Sequence, residues 1–167
     1  YNNSLKTIDI TGFPEMIYLD LRLNNLQEAK FSNCPKLQIA AIGSNNIMSL
    51  DLTGLPELYT LGCYENSITS LDLTGLPKLE MLECYANNLA TLDCSHNPEL
   101  MALTCQRNLL TELNIAGCTK LKKIDCSSNY LEGELDVNAL GDLYLLHCGG
   151  NGYTSIKANE CVLMTDM

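Results

Sequence analysis

Three polar side chains in the C-terminal half have the types that acyl transfer uses. Asp125 and Ser127 are two positions apart, and His147 follows on the equivalent position of the next sequence repeat. Such residues catalyse acyl transfer when they form an oriented hydrogen-bond chain beside an oxyanion hole in a pocket. No insertion large enough to build a pocket interrupts the regular segments around them. We therefore predict that this grouping is not catalytic and that the chain is not an enzyme.

Cysteine is the second candidate for chemistry, because the chain has nine of them. Five recur at the same spacing, at positions that Leu21 and Ile42 hold earlier in the chain; they are Cys63, Cys84, Cys105, Cys126 and Cys148. A zinc site would need a closer cluster such as Cys-x-x-Cys, which is missing. We predict buried, reduced thiols that replace leucine, and no cofactor. Whether any of Cys34, Cys94, Cys118 and Cys161 forms a disulfide stays open.

A third candidate is a row of carboxylates at Asp51, Asp72 and Asp93. At about 5 Å spacing and an effective dielectric constant near 20, neighbouring charges would repel by roughly 3 kcal/mol. Hydroxyl groups such as that of Thr53 and water would screen them. A weakly held calcium ion bridging the three is the functional alternative, because calcium takes oxygen ligands.

All of these spacings come from one internal repeat of about 21 residues, which has to be recognised before any helix or strand. One apolar column is Met16, Leu37, Leu58, Leu79, Leu100, Leu121 and Leu143. An asparagine column is Asn3, Asn24, Asn45, Asn66, Asn87, Asn108, Asn129 and Asn151. We expect the asparagine amides to point inward and to satisfy backbone groups at a bend. A one-residue insertion falls near Glu132 to Asp136.

Each repeat contains two short segments in which apolar residues alternate, for example Leu61 with Cys63 and Leu71 with Leu73. Alternation over a few residues, between turns rich in Asn, Gly and Pro, predicts β-strands. No repeat has room for a helix of about ten residues. A single coil cannot bury its apolar side alone, so the coils are expected to stack around a continuous core.

The unit Leu-x-x-Leu-x-(Leu/Cys)-x-x-Asn-x-(Leu/Ile)-x-x-Leu-Asp-Leu-Thr-Gly-Leu-Pro-x, seen well from Leu58 to Lys78, resembles the leucine-rich repeat family. It is most similar to the nested 21-residue bacterial subclass called IRREKO. The resemblance implies a β-rich solenoid with two short strands per coil, little or no regular helix and a non-enzymatic binding function. It also implies a secreted or surface-attached bacterial protein. We expect a solenoid over residues 1–156, with a partial first coil and about seven more, and a C-terminal cap or tail over 157–167. The incomplete first coil suggests a longer array.

Composition narrows the class of partner. The formal net charge of −10 is the wrong sign for a nucleic-acid binder, and no apolar run is long enough for membrane insertion. The expected partner is a protein, such as one on the surface of a host or neighbouring cell, and a glycan is the alternative.

The outward side of the first strand carries the candidate ligand-binding residues. They are Tyr18, Arg22, Ile39, Tyr64, Met81, Glu83, Tyr85 and Arg107. Aromatic and arginine side chains are enriched at protein interfaces, and an apolar patch with a charged rim is typical of one. Three alternatives stay open: Tyr64 and Tyr85 only pack on each other, they stack on sugar rings, or the chain is a structural spacer of a larger surface protein.

Overall fold

The computed structural model describes residues 3–158, which form a stack of short coils with no helix. Within these described residues, thirteen strands follow in chain order. They are β1 (Thr7–Asp9), β2 (Tyr18–Asp20), β3 (Glu28–Lys30), β4 (Ile39–Ala41), β5 (Thr60–Gly62), β6 (Met81–Glu83), β7 (Thr91–Asp93), β8 (Ala102–Thr104), β9 (Glu112–Asn114), β10 (Lys123–Asp125), β11 (Glu132–Asp136), β12 (Leu145–His147) and β13 (Gly152–Lys157). This β-rich solenoid confirms the predicted fold class.

The first strand of every complete coil joins one parallel sheet of seven strands, in the order β2-β4-β5-β6-β8-β10-β12. The register carries each residue to the same position of the next coil, so Tyr18 lies opposite Ile39 and Asp20 opposite Ala41. The middle residue of each strand, such as Leu61, is buried, and its two neighbours point outward. The sequence columns are therefore real rows of side chains along the sheet.

The second strand of each coil is formed only in part. It appears as three separate pairs, β1 with β3, β7 with β9 and β11 with β13, and residues 49–53 and 70–74 form no strand. In the pairs, the aspartate faces a cation or an amide, as Asp9 faces Lys30 and Asp93 faces Asn114. The unpaired segments carry Asp51 and Asp72, and like charges placed opposite each other destabilise a strand pair.

The asparagine column closes the bend after the main sheet, as predicted. Asn87, for example, donates from Nδ2 to the carbonyl oxygens of Cys63 and Cys84, both at 3.1 Å, and accepts from the Ile68 N–H at 2.9 Å. Each amide thus ties together backbone groups of neighbouring coils that the bend leaves unpaired.

The inserted residue in the seventh coil is absorbed locally. The register between β11 and β13 shifts between Gly133 and Glu134, and Gly133 has a φ of +79°. Glycine adopts this left-handed backbone without a steric cost. The regular coil continues to β13, while residues 159–167 of the predicted cap, with Cys161, lie outside the described part of the chain.

Candidate functional site

The outward side of the seven-stranded sheet holds a chain of polar contacts at its N-terminal end. Arg22 donates from Nε and Nη2 to the two carboxylate oxygens of Asp20, at 3.0 and 2.7 Å. Tyr18 donates its hydroxyl to the same carboxylate at 3.4 Å. The charge-assisted bonds from Arg22 lower the pKa of Asp20 to about 2. The Asp20 carboxylate first, and the Tyr64 phenol second, raise the pKa of Arg22.

Tyr64 and Tyr85 form a stacked pair at the middle of this face. Their ring centroids are 4.7 Å apart and the ring planes differ by 3°. Tyr64 leans back across the preceding coil and lies over Gly43, where a Cβ atom would stand 2.5 Å from ring atoms Cε2 and Cζ. A side chain at position 43 would therefore exclude the ring from its place. The packing that the sequence left as an alternative does occur, and it holds the two tyrosines in a fixed orientation.

The remaining predicted residues lie around this pair. Ile39 and Met81 stand on the same row, with Thr60 between them, so the two apolar side chains are two coils apart. Met81 is 41% exposed. Glu83 is the outward residue at the end of β6, and Arg107 lies in the turn beyond the sheet.

The turn that follows each strand of the seven-stranded sheet contains one residue with a positive φ. The set is Leu23, Ser44, Glu65, Ala86, Arg107, Ser128 and Gly150, with φ between 51° and 70°. Only glycine adopts this conformation without cost, and the other residues are strained by about 1 kcal/mol each. The asparagine that follows offsets the strain with its buried hydrogen bonds. As a result Glu65 and Arg107 project at the rim of the sheet.

The Asp125, Ser127 and His147 grouping does not have the geometry of a catalytic triad. Ser127 donates its hydroxyl to Asp125 Oδ1 at 2.6 Å, and His147 Nδ1 lies 3.5 Å from Asp125 Oδ2. Both groups therefore contact the carboxylate, and the serine hydroxyl is not bonded to the imidazole that would have to activate it.

The cysteine column forms a row of free thiols in the core, as predicted. Cys63, Cys84, Cys105 and Cys126 are buried, and burial raises their pKa values, to about 12 for Cys63. Cys148 differs because it is only partly buried, at the last coil of the row. Outside the row, Cys34, Cys94 and Cys118 are free as well, so no disulfide joins them in residues 3–158.

The aspartates at the second strand position of each coil accept hydrogen bonds from residues of the turn that follows them. Asp51 Oδ1 accepts from the Thr53 N–H at 3.0 Å and from its hydroxyl at 2.7 Å, and Asp72 is bonded in the same way by Thr74. Those bonds lower the pKa of both carboxyls. Within residues 3–158 no three metal-ligating side chains come close enough to hold an ion. Calcium binding by Asp51, Asp72 and Asp93 stays a prediction.

Sequence reasoning missed two features of the surface. Tyr144, which precedes the last strand of the sheet and is 41% exposed, has the ammonium of Lys123 5.6 Å above its ring. A column of alternating charge also runs along the turn before the sheet, with Glu99 and Lys120 paired in neighbouring coils. The column of alternating charge could have been found in the sequence, where Glu and Lys alternate at repeat spacing.

No family model and no curated protein matches the sequence. Solved structures do match. The functional domain of InlJ from Listeria monocytogenes, which includes a cysteine ladder, is 32% identical, with a TM-score of 0.84. The match covers 99% of this chain and 39% of that one, so the chain spans about two fifths of its length.

Two more distant structures share the fold. The ectodomain of the receptor kinase GASSHO1/SCHENGEN3 from Arabidopsis thaliana, in complex with CASPARIAN STRIP INTEGRITY FACTOR 2, is 23% identical over 89% of this chain and 24% of that one, with a TM-score of 0.67. YopM from Yersinia enterocolitica is 23% identical over 98% of this chain and 44% of that one, with a TM-score of 0.56.

The fold, its repeat length and these neighbours define a leucine-rich repeat β-solenoid of about seven turns. The chain is a leucine-rich repeat protein whose structural neighbours include the bacterial proteins InlJ and YopM. None of its described residues forms a helix that is long and apolar enough to cross a membrane.

Proposed function

We propose that the chain is a non-enzymatic protein-binding or adhesion module that binds its ligand on the outward side of the seven-stranded sheet. The observation that carries this proposal is the ordered tyrosine pair, with ring centroids 4.7 Å apart, on the same face as the Arg22 guanidinium that binds Asp20. Side chains that are already fixed lose little conformational entropy on binding, and tyrosine and arginine are the usual anchors of interfaces.

The neighbouring side chains extend the surface beyond the pair. Tyr18 is 55% exposed and Met81 is 41% exposed, on the same side of the sheet. Methionine adapts its shape to a partner, whereas the stacked tyrosines are rigid. A sheet face with rigid and adaptable contacts suits a protein surface. A solved ectodomain of the same fold is in complex with a partner, which supports a binding role.

The stacking geometry favours a protein ligand over a glycan. A sugar ring binds to a free aromatic face, but the facing sides of Tyr64 and Tyr85 cover each other, and Tyr64 also lies over Gly43. We further propose that binding takes place outside the cell or at its surface, as the family resemblance implies.

The test compares the purified chain with a Tyr64→Ala/Tyr85→Ala variant on a panel of extracellular proteins and a glycan array. Tyr130→Ala is the matched control, because Tyr130 is 62% exposed and lies beyond the bend, off this face. We expect a protein ligand that the double variant loses and the control keeps. A ligand kept by the double variant would contradict the aromatic site. Glycan binding lost in that variant would make the chain a carbohydrate-binding module, and no ligand at all would favour a spacer.

A further inference from the structure

One asparagine of the inward column is followed by glycine. Asn151–Gly152 is the single Asn-Gly dipeptide of the sequence, whereas the other asparagines of the column precede asparagine, serine, leucine or tyrosine. The backbone nitrogen that follows an asparagine can attack the side-chain amide carbon, a reaction called deamidation. Glycine hinders this attack least, because it has no side chain and the widest range of backbone angles. Asn151 is therefore the asparagine of the column whose neighbour most favours loss of the amide.

In the folded chain, hydrogen bonds engage both groups that would have to react. Asn151 donates from Nδ2 to the carbonyl oxygens of Cys126 and Cys148, each at 3.0 Å. Its Oδ1 accepts from the Leu131 N–H at 3.1 Å. The Gly152 N–H donates to the Leu131 carbonyl oxygen at 2.7 Å, at the start of β13. A nitrogen that keeps its proton in such a bond is not a nucleophile, so the attack requires this part of the coil to open first.

The preceding coil contains a matched asparagine. Asn129 donates from Nδ2 to two carbonyl oxygens at 3.1 and 3.0 Å and accepts from an N–H at 3.0 Å. The Tyr130 N–H that follows donates to the Leu110 carbonyl oxygen at 2.9 Å. Asn129 is 6% exposed, whereas Asn151 is only partly buried. The two sites therefore share their hydrogen bonds and differ in the following residue and in burial.

Deamidation of Asn151 would turn its attractive contacts into repulsive ones. The Nδ2 atom, which donates to two carbonyl oxygens at 3.0 Å, would be replaced by a carboxylate oxygen that has no proton to donate. Holding a carboxylate against two carbonyl oxygens in a partly buried place costs free energy. If the product is isoaspartate, the backbone also gains one methylene group just before β13, which disrupts the register between β13 and β11. Either product opposes the return of this segment to its place.

We propose that Asn151 and Gly152 form a deamidation site that reacts when β13 opens and then keeps β13 from closing again. In the open segment, hydroxide removes the Gly152 amide proton, and the nitrogen forms a bond to Cγ of Asn151. The bond from Cγ to Nδ2 breaks, and Nδ2 takes a proton from water and leaves as ammonia. Water then opens the resulting cyclic imide at either carbonyl carbon and leaves aspartate or isoaspartate. The reaction uses only water and hydroxide, and nothing is oxidised or reduced.

The rate of this modification reports how often the segment opens. Deamidation is slow compared with local opening and closing, so its rate follows the equilibrium population of the open form. The product accumulates because the covalent step is not reversed. This inference goes beyond the proposed binding function and does not depend on it.

The first test incubates the intact chain at mildly alkaline pH, in buffer and in concentrated urea, and follows deamidation of Asn151 and Asn129 by peptide mapping with mass spectrometry. In urea we expect Asn151 to react about ten-fold faster than Asn129, and a Gly152→Ser variant to remove that difference. In buffer Asn151 should react about 100-fold more slowly than in urea. Equal rates in buffer and urea, equal rates at the two asparagines in urea, or an Asn151 that never reacts in buffer would overturn the proposal.

The second test uses Asn151→Asp to introduce the product directly and measures hydrogen exchange of the backbone amides. Asn88→Asp is the matched control, because it adds the same charge at an exposed asparagine. We expect the amides of β13 to exchange at least about ten-fold faster in Asn151→Asp than in the unchanged chain. The amides of β6 serve as an internal reference and should exchange alike in all three proteins. Unchanged exchange of β13 in Asn151→Asp, or an equal increase in the control, would show that deamidation does not hold this segment open and would refute the proposal.

Discussion

Replacing Asn87 by alanine tests the role of the asparagine column in holding the coils together. The side chain is 7% exposed and makes hydrogen bonds to the carbonyls of Cys63 and Cys84 and from the Ile68 N–H. The two carbonyls keep a second amide donor, because Asn66 and Asn108 also bond them at 3.0 Å. The Ile68 N–H, by contrast, loses its acceptor in a buried position.

The size of the effect follows from those contacts. An unpaired buried N–H costs about 1–3 kcal/mol, and each shared carbonyl bond contributes about 0.5–1 kcal/mol. We therefore expect Asn87→Ala to lower the free energy of unfolding by about 3 kcal/mol. Asn88→Ala is the control, because Asn88 is the next residue and is exposed; it should change that free energy by less than about 0.5 kcal/mol.

The measurement is urea unfolding followed by far-ultraviolet circular dichroism, since the chain has no tryptophan. The m-value should stay unchanged in both variants, so that the midpoint reports stability directly. A loss below about 1 kcal/mol in Asn87→Ala, or equal losses in the two variants, would refute the view that the buried amide stabilises the stack through these bonds.

Gly43→Ala should abolish the near-ultraviolet dichroism of the stacked tyrosines, because the new Cβ occupies the ring's place, while Gly149→Ala, in the same row with open space around it, should leave the signal intact. The free energy of unfolding should fall as the pH drops from about 4 toward 2. The reason is that the Asp20 carboxyl, whose pKa is lowered in the fold, stabilises the folded state above its unfolded pKa and loses that effect when it is protonated. An Asp20→Asn variant with the same acid dependence would contradict this. Cys148→Ser should remove one thiol that reacts rapidly with Ellman's reagent in the native protein, whereas Cys105→Ala should leave the rapid phase unchanged.

The asparagine column shows how far a repeat can be interpreted without coordinates. Because each strand pairs with the next coil without a shift of register, residues one repeat apart must become neighbours. The buried amides, the row of thiols and the outward position of Tyr64 and Tyr85 follow from that rule. The contact between Asp125 and His147 followed from it as well, at 3.5 Å.

The second strand position of each coil shows where the repeat spacing alone is insufficient to predict the structure. Alternation predicted a strand in every coil, but residues 49–53 and 70–74 form none. Apolar alternation tells which side chains are buried, whereas pairing also depends on the charges that face each other between coils. Like charges in register account for the junction at which Asp51 would face Asp72, but not for the junction before it, where Lys30 would face Asp51 and no strand pair forms.

The sequence by itself determined the solenoid, its core and the rows of outward side chains, because a fixed repeat length sets the neighbours of every residue. Only the tertiary structure decided how those side chains use their neighbours: that Tyr64 leans over Gly43, and that Arg22 binds the Asp20 carboxylate through two nitrogens. The physical reason is that side-chain rotamers are selected by local space and charge in three dimensions, and the repeat length fixes only the place from which each side chain starts.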